Sequence, residues 1–147
     1  MPVNIRPFEA RHVDAVAQIE QESFRDPWSR AAYEEELKNP LAHYVIAEAD
    51  GQVVGYAGFW HIMDEGHITN VAVKSTFRGQ GIGESLMRAL MEETKKEQIE
   101  AVTLEVRVSN APAIRLYEKM GFVGVGVRPG YYPDGEGAVI MWHKEAL

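Results

Sequence analysis

The chain has 147 residues, of which 46% are hydrophobic and 25% charged, as is ordinary for a soluble globular protein, and we expect one domain over residues 1–147. The absence of cysteine excludes disulfides, thiolate metal ligands and a cysteine nucleophile. The net charge of −7 argues against general nucleic-acid binding, and no apolar run approaches the roughly 18 residues of a membrane helix. The first residues, MPVNIRPFEA, have no signal-peptide pattern, which predicts a cytoplasmic protein without a membrane partner.

The first half of the chain predicts two helices between strands. The proline-broken segment FRDPWS (24–29) separates the helices, and Ser29 can cap the second one. Asp50-Gly51 is a hairpin signal. The centre of the last strand, VAV (71–73), is apolar throughout, as expected for a strand that is covered on both faces. The predicted elements are a strand over 3–7, helices over 14–23 and 29–37, and strands over 43–49, 53–61 and 67–74.

The second half predicts two helices, each followed by strand. Apolar residues at helical spacing indicate a helix from Ile82, and a second helix is capped by Asn110 or Ala111 and stopped by Gly121. Strands are predicted over 101–108, 121–128 and 138–143. The order of elements predicts an α+β fold, with a mostly antiparallel sheet that turns parallel around the segment between residues 78 and 84.

This segment, which we call the glycine loop, reads RGQGIGE (78–84) and stands directly before a helix. Glycines at a helix start let a ligand approach the backbone, and the free N–H groups there favour an anion. A P-loop is excluded because Glu84 and Ser85, not Lys and Ser or Thr, follow Gly83. A dinucleotide fingerprint fits poorly, because the spacing is G-x-G-x-G and the acidic Glu105 lies inside a strand.

A third interpretation of the glycine loop rests on the pattern R/Q-x-x-G-x-G/A, which Arg78, Gly81 and Gly83 satisfy. With the NVAV strand before it and LYEKMGF (116–122) after it, the chain resembles the GCN5-related N-acetyltransferases (GNAT). The segments IEQESFRDPWS, LEVRVSN and YYPDG further resemble the RimI-like group of that superfamily, the ribosomal-protein alanine N-acetyltransferases. One departure is Gly137, which stands where that group usually has an acidic residue before alanine.

The resemblance implies a GNAT fold, a mixed sheet of about seven strands flanked by about four helices, and acetyl-CoA as the acetyl donor. It also implies that the donor binds largely to backbone groups, since the pattern places these beside the pyrophosphate and the pantetheine arm. Arg78 can add charge there or be a solvated loop residue. We expect no metal, because the five histidines lack ligand spacing. The implied donor-binding residues are Val71, Ala72, Val73, Arg78, Gly79, Gln80, Gly81, Ile82, Gly83, Glu84 and Asn110.

The resemblance implies two catalytic side chains. Glu105 is the candidate base that takes the proton from the acceptor amine, and Tyr117 is the candidate acid that protonates the departing thiolate. Each has an alternative role. Glu105 can lie on an open face of the sheet or pair with Arg107 or Arg115, and Tyr117 can be a core aromatic.

The implied acceptor is the N-terminal segment of a ribosomal protein, and Trp28, Tyr131 and Tyr132 are candidates to contact it because they lie in predicted loops. At pH 7 an α-amine with a pKa near 8 is only about 1 kcal/mol from its neutral form, whereas a lysine amine needs about 4 kcal/mol or more. Two alternatives stay open. The chain can acetylate another amine, such as lysine, a polyamine or an aminoglycoside, or it can be an acyl-CoA sensor without turnover.

Overall fold

The computed structural model describes residues 2–144, and within them the chain alternates between one sheet and the helices that cover it. Short 3-10 helices at Ala10–His12 and Ser75–Phe77 were not predicted. The strands are β1 (Asn4–Pro7), β2 (Ala42–Ala49), β3 (Gln52–Ile62), β4 (Glu65–Val73), β5 (Ala101–Arg107), β6 (Val123–Arg128) and β7 (Ala138–Lys144). The helices are α1 (Val13–Ser23), α2 (Arg30–Lys38), α3 (Ile82–Lys96) and α4 (Ala111–Lys119).

The seven strands form one sheet in the order β1-β2-β3-β4-β5-β7-β6. Neighbouring strands are antiparallel except β4 and β5, which run parallel. The glycine loop and α3 connect these two strands along the chain. The predicted α+β fold, with a mixed and mostly antiparallel sheet of seven strands and four helices, is confirmed.

The sheet carries a hydrophobic core on each face. On one face α1 and α2 bury Val13, Val16 and Tyr33 against Ile46 and Tyr56 of the sheet. The other face is covered by α3, whose buried stripe includes Leu86, Met87 and Leu90, and by α4 through Tyr117. Each helix is therefore held mainly by its apolar face, which covers sheet residues that alternate along the strands.

The two central strands separate soon after they meet. The register pairs Glu65, Gly66 and His67 of β4 with residues 101–103 of β5, and the pairing ends there. A bulge in β4 at Thr69 follows, because Gly58 of β3 opposes Asn70 whereas Phe59 opposes Ile68. Since a bulge bends the strand that carries it, β4 diverges from β5 beyond this point. We call the resulting gap, between residues 68–73 of β4 and 104–107 of β5, the β4–β5 cleft.

The cleft accounts for one difference from the sequence prediction. Residues 71–73 were expected to be covered on both faces, but only Ala72 is fully buried, whereas Val71 and Val73 are half-buried. The predicted strand starts and ends otherwise agree within about two residues. Among the residues described, no helix is long and apolar enough to cross a membrane.

A buried histidine joins the first turn of the chain to the sheet. The Nδ1 atom of His12 accepts a hydrogen bond of 2.9 Å from the backbone N–H of Glu9. The side chain is 3% exposed, and its Nε2 has no hydrogen-bond partner within residues 2–144. Burial, and next the charge of Arg11, lower the pKa of His12 below its ordinary value of 6.5. The neutral ring is therefore the form that the fold accommodates.

This lowered pKa predicts how stability depends on pH. As the pH falls below about 6.5, the unfolded chain takes up a proton at His12 before the folded chain does, so the free energy of unfolding decreases. The substitution His12→Gln keeps an acceptor for the Glu9 N–H but removes the titration. We expect chemical denaturation to show a smaller loss of stability between about pH 7.5 and about pH 5.5 in H12Q than in the unchanged protein. An equal loss in both would contradict this account.

Candidate functional site

The β4–β5 cleft exposes the backbone of two strands at the centre of the sheet. Within residues 2–144, the edge of β4 that faces β5 has no partner strand beyond His67, although its other edge remains paired to β3 through Val73. Strand edges present rows of N–H and C=O groups that can bind an extended ligand. The cleft can therefore take an extended chain that bears amide groups, with Val71, Ala72 and Val73 as its β4 wall.

The glycine loop lies where β4 leads into α3. Gly79 and Gly81 have φ angles of +79° and +80°, a conformation that residues with a Cβ adopt at a cost. Gly81 is the N-cap of α3, and the first helical hydrogen bond is the 3.1 Å bond from the Ser85 N–H to the Gly81 carbonyl. The preceding N–H groups of Ile82, Gly83 and Glu84 belong to the first turn, which has no intrahelical acceptor for them. Such a helix start can bind an anion.

The side chains of the loop contribute differently from its backbone. The Arg78 Nε donates a 3.2 Å hydrogen bond to the Val73 carbonyl, which fastens the loop to the end of β4. Glu84 forms ion pairs of 2.7 Å with both Arg88 and Lys119. Hydrogen bonds from Lys119 and then Arg88 lower the pKa of Glu84, so its carboxylate is ionised and compensated. Gln80 is exposed.

α4 presents Asn110 and Tyr117 toward the same region. Asn110 is the N-cap, since its Oδ1 accepts from the Ala113 N–H at 3.2 Å, which confirms the predicted cap. Tyr117 is 8% exposed and belongs to the core on the α3 face. Burial, and next the nearby Tyr132, raise the pKa of Tyr117, so its hydroxyl carries a proton at neutral pH. Its ring is thus a core residue, as the alternative interpretation held, and its hydroxyl can also be a proton donor.

Glu105 lies on β5, on the far side of the cleft from Val71. It is half-buried, and its Oε1 accepts a 3.2 Å hydrogen bond from the Tyr131 hydroxyl. The rings of Tyr131 and Tyr132 meet edge to face, with their centroids 5.0 Å apart. Burial, and next Tyr131, raise the pKa of Tyr132 to about 12. The fold therefore brings together four of the predicted site residues, Glu105, Tyr117, Tyr131 and Tyr132.

Arg107 holds this group in place, although neither Arg107 nor Arg115 pairs with Glu105 as the alternative suggested. The Arg107 guanidinium bonds to Asp134 at 2.9 Å and to Glu136 at 2.8 Å, both in the β6–β7 loop (residues 129–137). It also lies 4.1 Å from the Tyr132 ring centroid, as in a cation–π contact. The backbone N–H of Glu136 and then Arg107 lower the pKa of Asp134 to about 2. With these carboxylates compensated, Glu105 is left without an arginine partner among the residues described.

The same arginine connects a second loop. Arg107 lies 3.5 Å from Asp26, and Arg25 pairs with Asp134 at 2.6 Å, so the α1–α2 loop (residues 24–29) is joined to the β6–β7 loop. Both loops border the side of the sheet on which Glu105 meets Tyr131. They can form the walls of an acceptor site whose floor is β5.

Trp28 is positioned differently from the tyrosines. It is half-buried and packs against Tyr33 and Trp60, with ring centroids 5.5 and 6.2 Å away. Its backbone N–H donates to the Oε2 of Glu20 at 3.0 Å. Trp28 therefore has a packing role at the end of the α1–α2 loop that precedes α2, and it does not contact Tyr131 or Tyr132.

Sequence reasoning missed the buried carboxylate of Glu20, which is 1% exposed. It accepts hydrogen bonds from the Tyr33 and Tyr56 hydroxyls and, at 2.8 Å, from the Asn70 amide of β4. Burial, and next the charge of Glu20, raise the pKa of Tyr56, which keeps that hydroxyl a donor. Glu20 falls on the apolar stripe of α1, and that position was the available signal. The network fixes β4 beside its bulge, where the cleft opens.

Known proteins are similar to this chain in sequence and in architecture. Residues 13–122 match the Acetyltransferase (GNAT) family. The chain is 46% identical to a Bacillus subtilis protein named provisionally as a ribosomal protein bS18-alanine N-acetyltransferase, over 94% of this chain and 93% of that one. It is 38% identical to an N-alpha-acetyltransferase of Sulfurisphaera tokodaii, over 93% of this chain and 90% of that one. The crystal structure of the Escherichia coli ribosomal-protein-S18-alanine N-acetyltransferase matches with a TM-score of 0.91 at 32% identity, over 99% of this chain and 96% of that one.

Removal of the Arg107 guanidinium should loosen both loops. In Arg107→Met, Asp134 and Glu136 lose their shared cation, and we expect the amides of Tyr132 and Gly135 to exchange with deuterium several-fold faster. Hydrogen exchange followed by mass spectrometry on peptides covering 129–137 measures this. The matched variant Arg30→Met removes an ion-paired arginine at the start of α2 and should leave these amides unchanged. Equal exchange in R107M and the unchanged protein would show that Arg107 does not order the loop.

Proposed function

We propose that this chain, which belongs to the Acetyltransferase (GNAT) family, transfers acetyl from acetyl-CoA to the N-terminal α-amine of a protein. The preferred acceptor is the N-terminal alanine of a small-subunit ribosomal protein. The observation that carries the proposal is the hydrogen bond between the Glu105 carboxylate on β5 and the Tyr131 hydroxyl of the β6–β7 loop, across the cleft from the free edge of β4. The names of the relatives that match this chain over more than nine-tenths of its length support the acceptor class.

The residues that line the cleft fit the donor. Backbone groups of Val71 and Val73, which flank Ala72 on the free edge of β4, bind the amide-bearing pantetheine arm, and one N–H there polarises the acetyl carbonyl. The N–H groups from Gly79 to Glu84 bind the pyrophosphate at the start of α3, where the helix dipole also favours an anion. Arg78 stays bonded to the Val73 carbonyl, so its contribution is mainly to shape the loop. Asn110 holds the start of α4 beside the arm.

Acetyl-CoA supplies an acetyl group as a thioester, and two side chains manage the protons of a direct transfer. The amine nitrogen forms a bond to the carbonyl carbon, and the carbon–sulfur bond breaks. Glu105 takes the proton that the amine nitrogen loses, directly or through a water. Tyr117, which burial keeps protonated, gives its proton to the departing sulfur. Because the chain has no cysteine, no acyl group is held on an enzyme thiol during the reaction.

The acceptor site favours an α-amine for two reasons. An α-amine reaches its neutral form at a cost of about 1 kcal/mol at pH 7, so a single carboxylate is a sufficient base, whereas lysine needs about 4 kcal/mol or more. The loops at 24–29 and 129–137 are joined by ion pairs, which hold the two walls of the acceptor site together around the end of a peptide. Tyr131, which is 45% exposed, and Tyr132 contact the first residues of the peptide, while Trp28 supports the opposite wall.

Glu105→Gln tests the base. The amide keeps the shape of the carboxylate but cannot accept the amine proton, so we expect kcat to fall by about 10²–10⁴-fold. The affinity for acetyl-CoA, measured by calorimetry, should change little, because Glu105 is absent from the proposed donor contacts. Glu100→Gln removes an exposed carboxylate just before the same strand and should retain full turnover. Undiminished turnover in E105Q would remove Glu105 from the mechanism.

A panel of acceptors tests the substrate class. We expect peptides that begin with alanine to be acetylated fastest. Peptides that differ only in a bulky first residue should react more slowly, because Tyr131 and Tyr132 limit the size of the acceptor site. Initial rates at equal peptide concentration measure the preference. Faster reaction of a polyamine or an aminoglycoside would move the chain to another acceptor class. Binding of acetyl-CoA with no transfer to any acceptor would favour the sensor.

A further inference from the structure

Three side chains with metal-binding atoms converge at the C-terminal end of α3, at the opposite end of that helix from the glycine loop. They are His43 on β2, His61 on β3 and Glu97, the residue that caps α3. Glu97 Oε1 lies 3.6 Å from His43 Nε2 and 3.6 Å from His61 Nδ1. One candidate ligand atom from each of the three residues lies within 4.8 Å of the other two.

These distances are close to what a small divalent cation requires. Bonds of about 2.0–2.1 Å in tetrahedral geometry place neighbouring ligand atoms about 3.3 Å apart. The two distances from Glu97 need to shorten by a few tenths of an ångström. The two imidazole nitrogens, which lie within 4.8 Å of each other, need to approach by up to about 1.5 Å, which rotation of the partly exposed side chains can supply. Two imidazoles and one carboxylate form a ligand set that suits zinc, with a water completing the four positions.

The surroundings of His43 also match those of a metal ligand. Its ring stacks on Phe59, with centroids 4.8 Å apart and an angle of 9° between the planes, so its orientation is fixed by the core. Its Nδ1 lies 3.7 Å from Glu93 Oε1, on the side of the ring away from Glu97. Metal-binding histidines commonly donate their second N–H to a carboxylate, which orients the ring and raises its basicity, and Glu93 is the carboxylate near enough to move into that position.

The charge and exposure of the cluster favour occupancy from solvent. The side chains of His43, His61 and Glu97 are 24%, 27% and 37% exposed, so an ion can reach them without the fold opening. Glu93 and Glu97 also place two carboxylates at the cluster, whose charge a dication would balance.

We propose that His43, His61 and Glu97 bind Zn²⁺, with Glu93 orienting His43, and that the ion fastens the C-terminal end of α3 to β2 and β3. The site is structural and lies outside the acetyl-transfer chemistry. Its consequence for the cleft is indirect, since α3 carries the glycine loop at its other end. No metal was expected from the sequence, because these ligands lie on three separate elements that only the fold brings together.

Titration of tag-free, chelator-treated protein with Zn²⁺ tests the proposal by calorimetry and by thermal unfolding. We expect one equivalent to bind with a micromolar or tighter Kd and to raise Tm, since a ligand of the folded state stabilises it. Mg²⁺ at the same concentration should have no effect, because it prefers oxygen ligands. Co²⁺ in place of Zn²⁺ should give the visible absorption of a four-coordinate site.

Variants distinguish Zn²⁺ binding at this cluster from Zn²⁺ binding at other histidines on the surface. His61→Asn and Glu97→Gln should each weaken Zn²⁺ binding by more than about ten-fold, and Glu93→Gln by roughly ten-fold, as expected for loss of an orienting carboxylate. His67→Asn is the matched control, because His67 also lies 3.0 Å from a carboxylate, that of Glu65, but outside the cluster. Denaturation without metal verifies that each variant folds. Unchanged Zn²⁺ affinity in H61N and E97Q, or an equal loss in H67N, would overturn the proposal.

Discussion

The short parallel pairing of β4 and β5 is the constraint on which the site depends. It lasts for three residue pairs and stops just before the bulge at Thr69. A continuous pairing would bury the edge of β4 and leave no space between Val71 and Glu105. Because the bulge bends β4 away, the centre of the sheet offers free backbone groups on one side and a carboxylate on the other. Glu20 supports the bend by holding Asn70, the residue after the bulge.

Electrostatic compensation then decides which carboxylate near the cleft is available for chemistry. Asp134 and Glu136 are bound by Arg107, and Glu84 is bound by Arg88 and Lys119. Glu105 differs from them, since the partner it shows among the described residues is the hydroxyl of Tyr131. A carboxylate with a neutral partner can accept a proton without breaking an ion pair, which suits a general base. Arg107 therefore acts through the loops that it orders rather than through Glu105.

The sequence predicted the elements of this fold well because their signals are local. Ser29 and Asn110 cap helices as predicted, and the apolar stripe of α3 is buried. Features that arise from contacts between distant segments were not predictable. Arg107 bonds to acids on two loops, and His43, His61 and Glu97 meet only when β2, β3 and α3 are packed. At Gly137 a Cβ would lie 3.1 Å from the Arg128 carbonyl oxygen, a tight contact that a shift of a few tenths of an ångström would relieve.

The central claim, direct transfer to an α-amine, is tested most directly by a competition followed by mass spectrometry. The protein and acetyl-CoA are mixed with two versions of one peptide, each beginning with alanine and containing one internal lysine, of which one has a free and the other a blocked N-terminus. We predict that acetyl appears on the free α-amine and on neither lysine. Acetyl on the lysine of both peptides would contradict it.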